Sequence, residues 1–101
     1  MVLVSIKKDK NGIIESVVMK GHANYREDND IVCASISTML IVSVNAILEF
    51  DNNAIKVEEG SKIVLKNLKK DDITNKLLIN LEKSLYEIQK QYERNIKIKE
   101  E

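Results

Sequence analysis

The stretch IVCASISTMLIVSVNAIL, residues Ile31–Leu48, decides the fold because it runs for eighteen residues without a charged side chain. That length is near the lower limit for a transmembrane helix. The run nevertheless contains polar side chains, at Ser35, Ser37, Thr38, Ser43 and Asn45. Its flanks are acidic, at Asp30 and Glu49, where a membrane span favours Lys or Arg. The stretch therefore predicts a buried helix of a soluble protein, Ile31–Phe50, with no membrane as a partner.

Two β-branched runs joined by Asn11-Gly12 precede this helix. Asn-Gly is a strong short-range signal for a β-hairpin because both residues tolerate a positive φ. The sequence thus predicts strands at Val2–Lys7 and Ile13–Lys20. Apolar side chains fall on both faces of the second strand, which is typical of an interior strand covered on both sides. The polar residues Asn24–Asn29 predict a loop between this strand and the helix.

Three more strands and a second helix are predicted after the buried helix. A hairpin pairs Ala54–Val57 with Lys62–Lys66, and the alternating tail Asn95–Lys99 is typical of an edge strand protected by lysines. Asp71 or Asp72 caps the second helix, which ends near Arg94. Its apolar residues repeat at spacings of three and four, which indicates a stripe packed on the core, with a dimer seam as a second reading: Leu78, Leu81, Leu85, Ile88 and Tyr92.

These elements predict an α+β fold, a ββαββα(β) layered domain with two long helices against a small sheet. The chain has 101 residues, so we expect one domain over residues 1–101. We expect no targeting segment, because no basic region precedes the apolar residues at the N-terminus.

The composition limits the chemistry, because the chain has one Cys, one His and 16 Lys+Arg against 16 Asp+Glu. One Cys excludes an internal disulfide and a Cys-rich zinc site, and we expect no metal or cofactor. A reduced thiol suits the cytoplasm. Zero net charge argues against an electrostatic nucleic-acid binder, although it leaves room for a local basic patch. One such cluster, at Lys66, Lys69 and Lys70, is interpreted as a solvated turn, with an RNA site as the alternative.

His22 and Cys33 are the only candidates for thiol or imidazole catalysis. His22 follows a strand, and Cys33 lies in the first turn of the buried helix, so the intervening loop can bring them together. The positive end of a helix favours a thiolate, an imidazole can accept the thiol proton, and first-turn amides can stabilise an oxyanion. A structural Cys and a surface His remain the alternative on spacing alone.

The identities of the residues around His22 and Cys33 are more specific evidence of function than the spacing of these two residues. GHA at 21–23, a polar loop, and DIVCASIS at 30–37 resemble the signature of the bacterial ribosomal-processing cysteine protease family, Prp. SVNAI at 43–47 is similar to the same family further along the helix, as are LYEI at 85–88 and YERNI at 92–96. The resemblance covers essentially the whole chain.

The resemblance implies a cytoplasmic, homodimeric endopeptidase. It would remove the N-terminal extension of a large-subunit ribosomal protein, number twenty-seven, in support of ribosome assembly. By matching motif, Cys33 is the nucleophile and His22 the general base, and Asp30 and Ser37 support the site. We expect the ribosomal protein precursor as partner and no direct contact with nucleic acid. The competing hypothesis is a non-catalytic, ribosome- or RNA-associated assembly factor with a structural Cys33.

Simpler roles compete at the supporting positions. Asp30 is predicted to cap the helix, and a role in orienting His22 stays open. Ser37 either hydrogen-bonds near the thiolate or bonds the carbonyl four residues back.

The substrate-loop candidates are Gly21, Ala23, Tyr25 and Asn29. Gly21 permits a close backbone approach, to a peptide or to the neighbouring helix. Tyr25 and the adjacent Arg26 contact substrate or belong to a solvated loop. Asn29 stands where many family members have Gly, and Asn tolerates a positive φ.

Overall fold

The turn at Asn11-Gly12 starts the sheet as the sequence predicts. In the computed structural model, which describes residues 1–21 and 30–101 without the side chain of Asp30, Gly12 has a φ of 81°. The carboxylate of Asp9 accepts hydrogen bonds from the backbone N–H of Asn11 at 2.8 Å and of Ile13 at 3.1 Å. These bonds close the loop with side-chain acceptors, so the two flanking strands pair in antiparallel fashion.

The described residues form five strands and two helices in the predicted order. They are β1 (Val2–Lys8), β2 (Ile14–Lys20), α1 (Asp30–Phe50), β3 (Ile55–Glu59), β4 (Lys62–Asn67), α2 (Asp72–Gln91) and β5 (Ile96–Glu100). The α+β prediction, ββαββα(β), is confirmed. The helix that was expected to start at Ile31 starts at Asp30, so Asp30 lies within the first turn.

The strand order in the sheet is β3-β4-β2-β1-β5. All neighbours are antiparallel except β1 and β5, which run parallel with Val2 opposite Ile96. The edge position predicted for the tail strand is therefore confirmed. β2 lies in the interior of the sheet, also as predicted.

The expectation that β2 is covered on both faces is not met by the described residues. Val17 and Met19 are buried in the core, whereas Ser16 and Val18 are half-buried and Lys20 is exposed. The register shifts between Lys7 and Lys8, which brings Ile14 into the core as well. Alternation therefore holds along most of the strand, and a single apolar layer lies between the sheet and the helices.

α1 is buried along one face and exposed along the other, which corrects its interpretation as a buried helix. Its core side includes Val32, Cys33 and Ile36, whereas Ile41 and Val42 are 60% and 61% exposed. Within the described part of the chain, α1 is the one helix whose length and composition would suit a membrane span, a property that core helices of soluble proteins share.

α2 begins at a defined cap and packs its predicted stripe on the core. The Asp71 carboxylate accepts a 2.8 Å hydrogen bond from the N–H of Thr74, which selects Asp71 over Asp72 as the cap. The helix ends at Gln91, three residues before the predicted Arg94. The stripe lies against the core, which favours the core reading over a dimer seam: Leu78, Leu81 and Leu85 are buried, and Ile88 and Tyr92 are half-buried.

A polar network that the sequence analysis did not predict ties α2 to β1 and β5. The Lys8 ammonium lies 2.9 Å from the buried Glu82 carboxylate and 3.1 Å from that of Glu100. The Tyr86 hydroxyl donates a 2.7 Å hydrogen bond to Glu100. The hydrogen bond with Glu82 is the main cause that raises the pKa of Lys8, and the one to Glu100 is the main cause that raises the pKa of Tyr86 to about 12. At neutral pH Lys8 is therefore protonated and the Tyr86 hydroxyl keeps its proton.

Candidate active site

Gly21, at the end of β2, has a backbone conformation and a setting that only glycine fits. Its φ is 84°, in the left-handed region, and a Cβ there would lie 2.3 Å from the Met1 carbonyl oxygen. The backbone approach at Gly21 is thus close, and an approach to a substrate peptide stays a prediction. The neighbour, however, is the start of β1 rather than the helix, because the β1–β2 register sets Leu3 opposite Lys20 and so brings Gly21 to the first residues of the chain.

Replacing Gly21 by alanine is expected to destabilise the protein by about 1–3 kcal/mol, because the side chain adds both backbone strain and a clash with Met1. Urea unfolding measures the change. Gly60→Ala is the matched control, because a Cβ at Gly60 meets no atom within 4 Å and its φ is not in the left-handed region. Equal stability of Gly21→Ala and Gly60→Ala would show that the approach to Met1 is relaxed in solution.

Cys33 lies in the first turn of α1 and is 5% exposed, within the apolar core. The amide groups of a first turn have no acceptors within their own helix and carry the positive end of its dipole. Such amides favour a thiolate and can bind an oxyanion, whereas apolar burial favours the neutral thiol. A basic group beside Cys33 is therefore needed to favour the reactive thiolate over the neutral thiol.

Several predicted site residues lie outside the described part of the chain, namely His22, Ala23, Tyr25 and Asn29, together with Arg26. The side chain of Asp30 also lies outside it, so its cap and its contact with His22 stay predictions. Gly21 and Cys33 stand at the two sides of the segment 22–29.

Ser37 is exposed on α1. Among the described residues, the α1 hydroxyl seen to bond the carbonyl four residues back is that of Ser35, which donates to the Ile31 carbonyl at 2.8 Å. Ser35 thus makes a bond of the kind considered for Ser37, but to a different carbonyl. A role for Ser37 beside the thiolate remains a prediction.

Comparison with known proteins decides the family. The family model described as cysteine protease Prp matches residues 1–97. The chain belongs to the Prp family. A relative, the ribosomal processing cysteine protease Prp of Staphylococcus aureus strain Mu50, is 30% identical over 103 residues, covering 97% of both chains. The resemblance identified from the motifs is therefore confirmed, and the chain is a cysteine protease.

Solved structures of the family agree with the fold. S. aureus Prp in complex with a substrate peptide superposes with a TM-score of 0.93 at 27% identity, and S. aureus Prp with a covalently linked product peptide with 0.90 at 29%. Both matches cover the whole of each chain. The two helices on a five-stranded sheet are thus the Prp architecture.

Proposed function

We propose that this protein is an endopeptidase that removes the N-terminal extension of a large-subunit ribosomal protein, number twenty-seven, and so supports ribosome assembly. One observation carries the proposal. A member of a cysteine protease family needs a thiol, and Cys33 is the only cysteine in the chain. It lies at the helix terminus that favours a thiolate.

His22 and Cys33 form the catalytic pair in this proposal. His22 accepts the thiol proton, and the thiolate attacks the scissile carbonyl carbon to give a tetrahedral oxyanion that the first-turn amides bind. The intermediate collapses to a thioester as the imidazolium protonates the leaving amine. His22 then accepts a proton from water as that water attacks the thioester, and the carboxylic acid and the thiol are released. Each turnover thus consumes one water.

The other predicted site residues lie beside the catalytic pair in this proposal. Asp30 orients His22 from the first turn, and Ser37 supports the thiolate. Gly21, Ala23, Tyr25 and Asn29 belong to the segment beside the substrate cleft. What supports a ribosomal substrate is the S. aureus relative, which is named a ribosomal processing protease and whose structure contains a substrate peptide. The alternative of a non-catalytic assembly factor with a structural Cys33 is disfavoured by membership of a protease family.

A processing assay tests the proposal. The protein is incubated with the ribosomal protein precursor, and mass spectrometry identifies the new N-terminus. Intact mass shows when one iodoacetamide adduct has formed, and peptide mapping shows that it lies on Cys33, the one cysteine of the chain. We expect a single cleavage that is lost in step with the adduct. Cleavage by the fully modified protein would exclude Cys33 as nucleophile, and an uncut precursor would exclude this substrate.

We also propose that the enzyme acts as a homodimer in the cytoplasm. The reducing cytoplasm keeps a nucleophilic thiol available. The exposed side of α1 supports the dimer, because its exposed residues between Ile31 and Asn45 carry no charge. The exposed side of α2 differs, since it carries Lys76, Lys83 and Lys90.

Placing a charge on this side of α1 with Val42→Lys is expected to weaken the dimer about 100-fold, because each copy would bury an unpaired ammonium. Sedimentation velocity at several concentrations measures the change. Lys83→Glu, on the charged side of α2, is the control and should leave the dimer intact. A Val42→Lys protein that stays as dimeric as wild type would remove α1 from the interface.

A further inference from the structure

The sheet face opposite the helices carries seven lysines, and we call it the open face. The strand register aligns Lys97, Leu3, Lys20 and Lys62 across β5, β1, β2 and β4. The next rows add Lys99 beside Ser5, and Lys7, Lys66 and Lys56 around Ser16. Side chains at these positions point away from the core because each has a strand neighbour that is buried or half-buried on the helix side.

Few carboxylates neutralise this face. Among the described residues, Glu58 pairs with Lys66 at 3.2 Å and Glu101 with Lys99 at 4.0 Å. Lys66, followed by Lys56, lowers the pKa of Glu58, which indicates that this carboxylate serves two lysines. The other five lysines make no ion pair with a described residue: Lys7, Lys20, Lys56, Lys62 and Lys97. The zero net charge of the chain therefore conceals a basic face, which the sum over all residues cannot reveal.

Protection of sheet edges does not explain the pattern. Lysines on edge strands discourage further pairing, and those on β3 and β5 serve that purpose. Lys7, Lys20, Lys62 and Lys66, however, lie on the three interior strands. Lys20 directly opposes Lys62, and Lys56 directly opposes Lys66. Directly opposed like charges destabilise a sheet. The stability of the sheet therefore does not explain these lysines, whereas binding of an anionic partner does.

We propose that the open face binds the phosphate backbone of double-stranded RNA. The lysines occur on all five strands, a width of about 19 Å at the usual strand spacing, which suits a polyanion with phosphates on both sides of a groove. An extended acidic peptide would follow one strand and reach few of them. The described part of the face has no aromatic side chain, so it offers no ring on which single-stranded bases could stack.

The position of the face links it to the active site without sharing residues with it. Lys20 immediately precedes Gly21, and a depression of about 320 Å³ beside it is lined by Leu3, Ser5, Lys97 and Lys99. RNA bound here would lie next to the end of β2. The inference goes beyond the proposed proteolysis and does not depend on it.

Titration of a fluorescent 16-base-pair RNA duplex, followed by anisotropy at 50–200 mM salt, tests the inference. The variant Lys7→Gln/Lys62→Gln/Lys97→Gln is compared with Lys76→Gln/Lys83→Gln/Lys90→Gln on α2, which removes the same charge. We expect the open-face variant to bind about ten- to a hundredfold more weakly at 0.1 M salt and to lose about two to three from the slope of log K against log salt. The α2 variant should change affinity less than about threefold.

Four further results bear on the inference. Lys7→Arg/Lys62→Arg/Lys97→Arg should retain binding, and cleavage of a short precursor peptide should be unchanged in all three variants, so a failure of RNA binding is separable from a failure of proteolysis. Equal weakening by the two glutamine variants would overturn the open face as the site. Tighter binding of poly-glutamate, single-stranded poly-uridine or anionic lipid vesicles would overturn double-stranded RNA as its partner.

Discussion

Cys33→Ala is expected to lower kcat/KM for the precursor at least about 10⁴-fold, because the substitution removes the nucleophile and leaves only binding and oxyanion contacts. Cys33→Ser should be nearly as inactive, since a hydroxyl is far less ionised than a thiol. Ser35→Ala is the matched control: Ser35 lies on the same turns and bonds the Ile31 carbonyl, and its loss should change kcat/KM less than about tenfold. Cleavage by Cys33→Ala within tenfold of wild type would contradict the assignment.

A second readout separates lost chemistry from lost structure. Cys33 is buried, so truncation to alanine leaves a small space and is expected to lower the free energy of unfolding by about 1 kcal/mol. That change leaves most of a small domain folded. Cys33→Ala should therefore retain the precursor in a pull-down while failing to cut it. A variant that unfolds would be replaced by Cys33→Ser, which nearly preserves the side-chain volume.

The elements of this fold could be predicted because their signals are local. The Asn11-Gly12 turn, the Asp71 cap and the spacing of Leu78, Leu81 and Leu85 act within a few residues. The end of α2 was harder, since neither Gly nor Pro stops the helix and the chain leaves it at Tyr92. The existence of each element was therefore more secure than its boundary.

The strand order could not be predicted, because it depends on contacts between distant parts of the chain. Nothing local specifies that β5 runs parallel to β1, or that β4 lies beside β2. The contact of Gly21 with Met1 and the basic open face both follow from this pairing. For the candidate site, the first-turn position of Cys33 was readable from the sequence, whereas the surroundings of Gly21 were not.

The ion pair between Lys8 and Glu82 leads to the second large effect, on stability. Lys8→Met is expected to lower the free energy of unfolding by about 3 kcal/mol, because it leaves the Glu82 carboxylate buried without its cation. Urea unfolding at pH 7 measures the change. Lys76→Met is the matched control: its partner Asp72 is 84% exposed, so its loss should change stability by less than about 0.5 kcal/mol.

The double variant Lys8→Met/Glu82→Leu shows whether the effect comes from the stranded carboxylate. Replacing both partners by apolar groups of similar size removes the buried charge, so we expect it to recover most of the stability lost by Lys8→Met. If the double variant is as unstable as Lys8→Met, then the loss comes from the pair between the Lys8 ammonium and Glu100 rather than from the stranded charge of Glu82. Recovery would instead show that Glu82 requires a cation from β1. That requirement fixes the end of β1 against α2 and, through the pair between Lys8 and Glu100, against β5. The other end of β1, at Met1 and Val2, lies against Gly21.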